Sequence, residues 1–130
     1  MGRLALLLGL IIVAIIAAAD TSNLGPLYQA YDFPHGDKVG HFVLFGSLAL
    51  VTCLALLRLR PDDPPDRVAL AAIVVLGIVA AAEEFTQIWI ATRKPDLLDL
   101  LTAYAGMSLA ACLAVQLQKP PPWGVSRRVL

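Results

Sequence analysis

Charged residues are scarce in this chain: Asp, Glu, Lys and Arg make up 15% of its 130 residues, where a soluble domain carries about 25%. Net charge is absent as well, since ten Lys and Arg balance ten Asp and Glu. No overall field draws nucleic acid, and no basic stripe does so locally. Cysteine is limited to Cys53 and Cys112, both inside apolar runs, which excludes a disulfide framework and offers no metal-ligand spacing. Histidine is limited to His35 and His41. There is no Gly-rich phosphate loop, no serine nucleophile with triad partners and no His-x-x-x-His pair. No cofactor or resident metal is expected; a Ca²⁺ or Mg²⁺ ion leaning on the carboxylates of Asp37, Glu84 and Asp99 is the remaining alternative. These shortages exclude a stapled secreted module, a zinc finger and most soluble enzymes.

What the chain has is apolar length. Hydrophobic residues make up 58% of it, and the mean hydropathy is +0.75. Apolar runs lie at Leu4–Ala19, Val39–Leu57, Val68–Ala91 and Leu97–Leu117. A helix needs around 20 apolar residues to cross roughly 30 Å of hydrocarbon, a length the last three runs reach. The first is shorter, and with Arg3 before it and Ala17, Ala18 and Ala19 at its end it also reads as a cleaved signal peptide. A retained helix is favoured, because three helices alone bury little against one another. The expected fold is an all-α membrane protein, a four-helix bundle over residues 1–118 followed by a tail at 119–130.

The connectors support this partition. Residues 58–67 carry Arg58, Arg60, Asp62, Asp63, Asp66 and Arg67 with Pro61, Pro64 and Pro65, a stretch that interrupts a helix. Lys119 and the prolines up to Trp123 stop the last one. Lys and Arg set the orientation. Arg3, Arg58, Arg60, Arg67, Lys119, Arg127 and Arg128 lie on one side, against Lys38, Arg93 and Lys94 on the other. Both termini are therefore expected in the cytoplasm, with the first and third connectors facing outward. Trp89 and Trp123 suit interfacial anchors. The outward connector, with Leu24, Leu27, Tyr28, Tyr31 and Phe33, suits a segment on the membrane surface, a cap on the bundle or, equally, an ordinary loop with buried aromatics.

Ionisable residues inside the spans carry the functional information, because each costs about 2.5–3.5 kcal/mol to insert. Asp37, Lys38 and His41 open the second run; Glu83, Glu84 and Gln87 lie in the outer part of the third; Arg93, Lys94, Asp96 and Asp99 occupy the turn into the fourth. At about 1.5 Å of rise per residue these groups share one layer. Asp37 and His41, Glu84 and Gln87, and Asp96 and Asp99 are each three or four residues apart, so each pair shares a helix face. Three inward stripes at one depth build an outward-facing polar pocket with an apolar floor. Glu83 and Glu84 diverge by about 100° on a helix, and Glu84 is the one expected in the pocket because Gln87 extends its stripe. Asp96 after Pro95 reads as a helix-start carboxylate. Gly46, Gly77 and Gly106, with Ala110 and Ala114, are placed to let helices approach closely.

Asp37, Lys38 and His41, then Glu84, Gln87 and Arg93, then Asp99 with Gly106 seven residues on, resemble the VanZ-like family of small membrane proteins, named for a protein associated with teicoplanin resistance. The resemblance covers about residues 37–106 and marks Asp37, Lys38, His41, Glu84, Gln87, Arg93 and Asp99 as the signature polar positions. It departs at Ala103, where the family often has Asn. The resemblance implies a multi-pass protein of the bacterial cytoplasmic membrane. It implies a role in the cell envelope and in glycopeptide tolerance more than it implies a reaction.

Two functions follow as expectations. In the first, Asp37, Lys38, Gln87, Arg93 and Asp99 bind the headgroup of a membrane lipid, a lipid-linked envelope precursor or a glycopeptide-related ligand. In the second, Glu84 and His41 are the catalytic acid–base pair of a membrane enzyme acting on a headgroup ester. No nucleic acid is expected as a partner, and a homo-oligomer is compatible with either function.

Overall fold

The computed structural model describes residues 33–91 and 94–119, together with Arg3, Leu6, Leu7, Gly9 and Leu10. Three helices dominate: α1 (Gly36–Leu59), α2 (Pro65–Thr86) and α3 (Leu97–Gln118). All three are long and apolar enough to cross a membrane, α2 together with the 3₁₀ turn that extends it to Trp89. The described residues contain no strand. Three such helices mark a membrane protein. Of the N-terminal run, Leu6, Leu7, Gly9 and Leu10 are described and helical. Gly9 lies against α1, where an added Cβ would stand 3.9 Å from Leu48. The rest of that run, the connector with Leu24, Leu27, Tyr28 and Tyr31, the cation Arg93, and the tail with Trp123 lie outside the described residues.

Local chemistry explains where each helix begins and ends. α1 starts at Gly36, three residues ahead of its apolar run, so Asp37 and Lys38 stand in its first turn. It continues through Leu59 and stops before Pro61. α2 starts with Pro65 at its first position, where the missing N–H is needed by no partner. The interruption in the 58–67 stretch is therefore only Arg60–Pro64, braced by an exposed Arg60–Asp63 ion pair at 3.3 Å. At its other end the α-helix finishes at Thr86 and tightens into a 3₁₀ turn over Gln87–Trp89. Ile90 is already extended, and the chain runs on to Pro95 with Asp96 extended in turn. Helical backbone is disfavoured immediately before a proline, and α3 begins only after it. Asp96 caps α3 by accepting the Leu98 N–H at 2.9 Å.

The chain reverses at each connector, so α1 and α3 run parallel with α2 antiparallel to both. α1 and α3 make the closest crossing. A Cβ on Gly46 would stand 3.2 Å from the Gly106 carbonyl oxygen. A Cβ on Gly106 would stand 3.1 Å from the Phe42 carbonyl carbon and nearer still to its oxygen. These two glycines bring the backbones together as small residues do in membrane helix pairs. Gly77 does the same for a side chain: the Tyr104 hydroxyl donates to its carbonyl at 3.2 Å. Below the crossing, Phe45, Ala49, Ala80, Ala103, Met107 and Ala110 form one buried apolar layer. A second layer at the far end contains Cys53, Leu57, Val68, Ala72 and Ala114. The outer faces stay apolar and exposed, with Leu70, Val75, Ile78, Leu109 and Leu117 among them, as lipid-facing positions require.

Candidate functional site

Because α1 and α3 both begin where α2 ends, the first turns of two helices and the last turn of the third form one layer. Into it come Asp37, Lys38 and His41 from α1, Glu83, Glu84 and Gln87 from the end of α2, and Asp96 and Asp99 from the start of α3. Phe45, Met107 and Ala103, all nearly inaccessible, form its apolar floor. His41 joins layer to floor by stacking on Phe45, ring centroids 6.0 Å apart and planes within 13°.

Lys38 is the centre of one half. Its ammonium donates to Asp96 at 2.8 Å, to Asp99 at 3.1 Å and to Asp37 at 3.2 Å, spending all three of its protons on carboxylates. Asp99 is buried and Asp37 half exposed, so the ammonium is shared between the interior and the rim. The Lys38 ammonium, with the Leu98 N–H, holds the Asp96 carboxyl below the usual carboxylate range. Asp99 spends one oxygen on Lys38, and its other stands 3.8 Å from His41 Nε2. The carboxylate facing His41 is thus Asp99, while Asp37 turns to Lys38.

Gln87 organises the other half. Its buried amide nitrogen donates to Glu83 at 3.0 Å and to Glu84 at 3.2 Å. The second oxygen of Glu84 accepts the backbone N–H of Asp96, tying the end of α2 to the start of α3. Ligand atoms of His41, Glu83 and Glu84 all lie within 4.8 Å of one another. So do those of Asp37, Asp96 and Asp99 around the Lys38 ammonium.

Of the residues singled out from the sequence, the structure brings together Asp37, Lys38, His41, Glu84, Gln87 and Asp99. Arg93 lies outside the described residues, and Lys94 is exposed beside it. Two members stand differently from the sequence reading, which turns Glu83 away from the pocket and places Asp96 in the stripe of Asp99 with a capping role. Glu83 joins Glu84 despite the divergence of consecutive helical residues, because Gln87, one turn on, reaches both. Asp96 has a second duty besides its cap, the Lys38 bridge, which nothing in its local pattern announces. Ala103, at the position where the VanZ-like pattern often has Asn, lies fully buried in the floor among Phe45, Ala80 and Met107.

The site defines the class: a helical membrane protein with a network of ionisable side chains at one end of its bundle. No protein-family profile, curated protein or solved structure matches the chain.

Proposed function

We propose that this is a multi-pass protein of the bacterial cytoplasmic membrane whose polar layer faces outward and engages the headgroup of an amphiphile, a lipid or a lipid-linked envelope precursor. One observation carries the reading: ionisable side chains from three spans converge on a single layer at the mouth of the bundle. Such residues are costly in a membrane and mark ligand or ion pathways when they cluster. An apolar groove of about 510 Å³ between α2 and α3 supports it further. That groove is lined by Gly77, Ile78, Ala81, Tyr104 and Met107, and it gives an acyl chain a course along the helices. The outward orientation rests on the sidedness of Lys and Arg. The resemblance to VanZ-like proteins supplies the context, the bacterial envelope and tolerance to glycopeptides of the teicoplanin type.

The charges refine which headgroup fits. Among the described residues of the layer, Lys38 is fully engaged by three of the five carboxylates, Asp37, Asp96 and Asp99. A headgroup bearing an amine complements this surface; a bare phosphate must be met by Arg93 and Lys94 at the rim. A second reading is favoured by the nearness of His41 to Glu84, within reach of a shared proton or water. In that reading the pair is the acid–base couple of an enzyme acting on the bound headgroup.

Native mass spectrometry of the detergent-extracted protein tests the first reading by detecting a retained envelope lipid. Arg93→Ala weakens that retention if the headgroup carries phosphate; recovery of the protein free of lipid under all mild extractions refutes the binding role. Glu84→Gln separates the two readings. A binder keeps its effect in a glycopeptide-tolerance assay, whereas an enzyme loses it at unchanged protein level and lipid content.

A further inference from the structure

We propose that the groove between α2 and α3, at the end of the bundle away from the polar layer, holds a phospholipid with a zwitterionic, primary-amine headgroup of the phosphoethanolamine kind. This site lies at the other mouth of the molecule and does not rest on the amphiphile reading above. Its walls, its length and the charges at its mouth converge on that occupant.

The groove is a lipid-facing channel of about 310 Å³. Its floor is made by Ala69 and Ala111, both buried, whose short side chains leave the space. Ile73 and Ser108 line both this groove and the one of about 510 Å³ nearer the polar layer, so a single furrow runs along the two helices. In hydrocarbon such a furrow is filled by acyl chains, which gain dispersion contacts with its floor and both walls together. Ser108 lies 11 residues before Lys119, about 16 Å at helical rise. One leaflet of a roughly 30 Å hydrocarbon core has the same depth.

Apolar walls hold a chain without choosing a lipid, and the mouth makes the choice. Asp66 is the second residue of α2 and Lys119 follows the last residue of α3, so both stand at headgroup level. Both are exposed and both line the groove, one from each helix, with Gln116 beside them. Each charge alone has a local explanation, a lysine that snorkels to the interface and a carboxylate at a helix N-terminus. At one mouth they present both signs to a single headgroup. Pockets between membrane helices recognise lipids through such charges. The Lys119 ammonium matches a phosphate, and the Asp66 carboxylate matches an ammonium that still carries N–H donors. A trimethylammonium headgroup offers no N–H, and a glycerol headgroup offers no cation.

The test uses the full chain, delipidated in detergent and titrated separately with dioleoyl phosphatidylethanolamine, phosphatidylcholine and phosphatidylglycerol. Native mass spectrometry counts the lipid bound. The wild type holds one ethanolamine lipid per chain about 3- to 10-fold more tightly than either of the others. Asp66→Asn abolishes that preference, and Lys119→Gln weakens retention of all three lipids. Cys112→Trp, which fills the groove from an exposed wall position, also weakens all three. Arg58→Gln, at the same end but outside the groove, changes none of them. A lipid held at the polar layer is told apart by its loss in Arg93→Ala, a variant that leaves the ethanolamine preference intact. Equal retention of the three lipids by the wild type overturns the proposal, as does a preference for phosphatidylglycerol. A preference that survives both Asp66→Asn and Lys119→Gln overturns it too. A dimer that forms as lipid is removed, and is lost in Cys112→Trp, places a second copy in the groove and overturns it as well.

Discussion

The crossing of α1 and α3 holds the polar layer together, and Gly106→Ala is the sharpest way to test it. The added Cβ would stand 3.1 Å from the Phe42 carbonyl carbon, 3.2 Å from its Cα and closer still to its carbonyl oxygen. These are backbone atoms, and no rotamer change moves them aside. Restoring ordinary contact requires the two helices to part by roughly 1 Å, and overpacking of this kind costs about 1–3 kcal/mol. Against it stands the helix propensity gained on replacing Gly by Ala, at most about 1 kcal/mol. The clash wins, leaving a net loss of up to about 2 kcal/mol. Parting by that much also stretches the Lys38–Asp99 contact from 3.1 Å to beyond hydrogen-bonding range. Thermal unfolding of the purified protein in detergent reads the effect. Gly77→Ala is the comparison, since its Cβ meets only the edge of the Tyr104 ring, at 3.3 Å. The expected order of stability is wild type, then Gly77→Ala, then Gly106→Ala. A Gly106→Ala protein as stable as wild type, or more so, refutes the close crossing as the element that aligns the layer.

Two further substitutions probe the layer itself. Gln87→Leu removes the buried amide that serves both glutamates, and the carboxylates lose a donor each; a loss of about 1–3 kcal/mol is expected in the same unfolding assay, and an unchanged midpoint contradicts the bridging role. Lys38→Met leaves three carboxylates without their cation and destabilises the protein at neutral pH, while Asp99→Asn in the same background recovers part of the loss. The pH dependence has a definite sign. The Asp96 carboxyl is held below its ordinary range, so its contribution to stability is complete above about pH 4 and fades as pH falls further. Lys38→Met flattens that acid limb, and an acid limb identical to wild type shows that the Lys38–Asp96 bridge contributes nothing to folding.

Much of the candidate site was legible because the membrane penalises misplaced charge. His41, Glu84, Gln87 and Asp99 stand out in apolar runs with Lys38 at the edge of one, and helical rise alone places them at one depth. Pairing was not legible. The spacing of Asp37 and His41 points to a shared face, yet Asp37 turns to Lys38 and the histidine faces Asp99. Both partners of that second contact are fixed by how α1 packs on α3. Glu83 was set aside by the angular argument because that argument treats one helix alone, and the Gln87 amide is long enough to reach both glutamates. Asp96 had a sufficient local explanation as a cap, which concealed its bridge to a residue 58 positions away.

The sequence by itself determined the solvent and the secondary structure. Long apolar runs broken by charged, proline-rich connectors leave only helices able to satisfy the backbone in hydrocarbon. It also determined the shared depth of the polar groups, since helical rise is a constant of the backbone. The tertiary structure decided which groups meet, because the choice of partner depends on the rotation and separation of the helices. Those are set by the contact of Gly46, Gly106 and the Phe42 backbone. A rotation of one helix by a single residue position, about 100°, exchanges every partner in the layer without altering a single local preference.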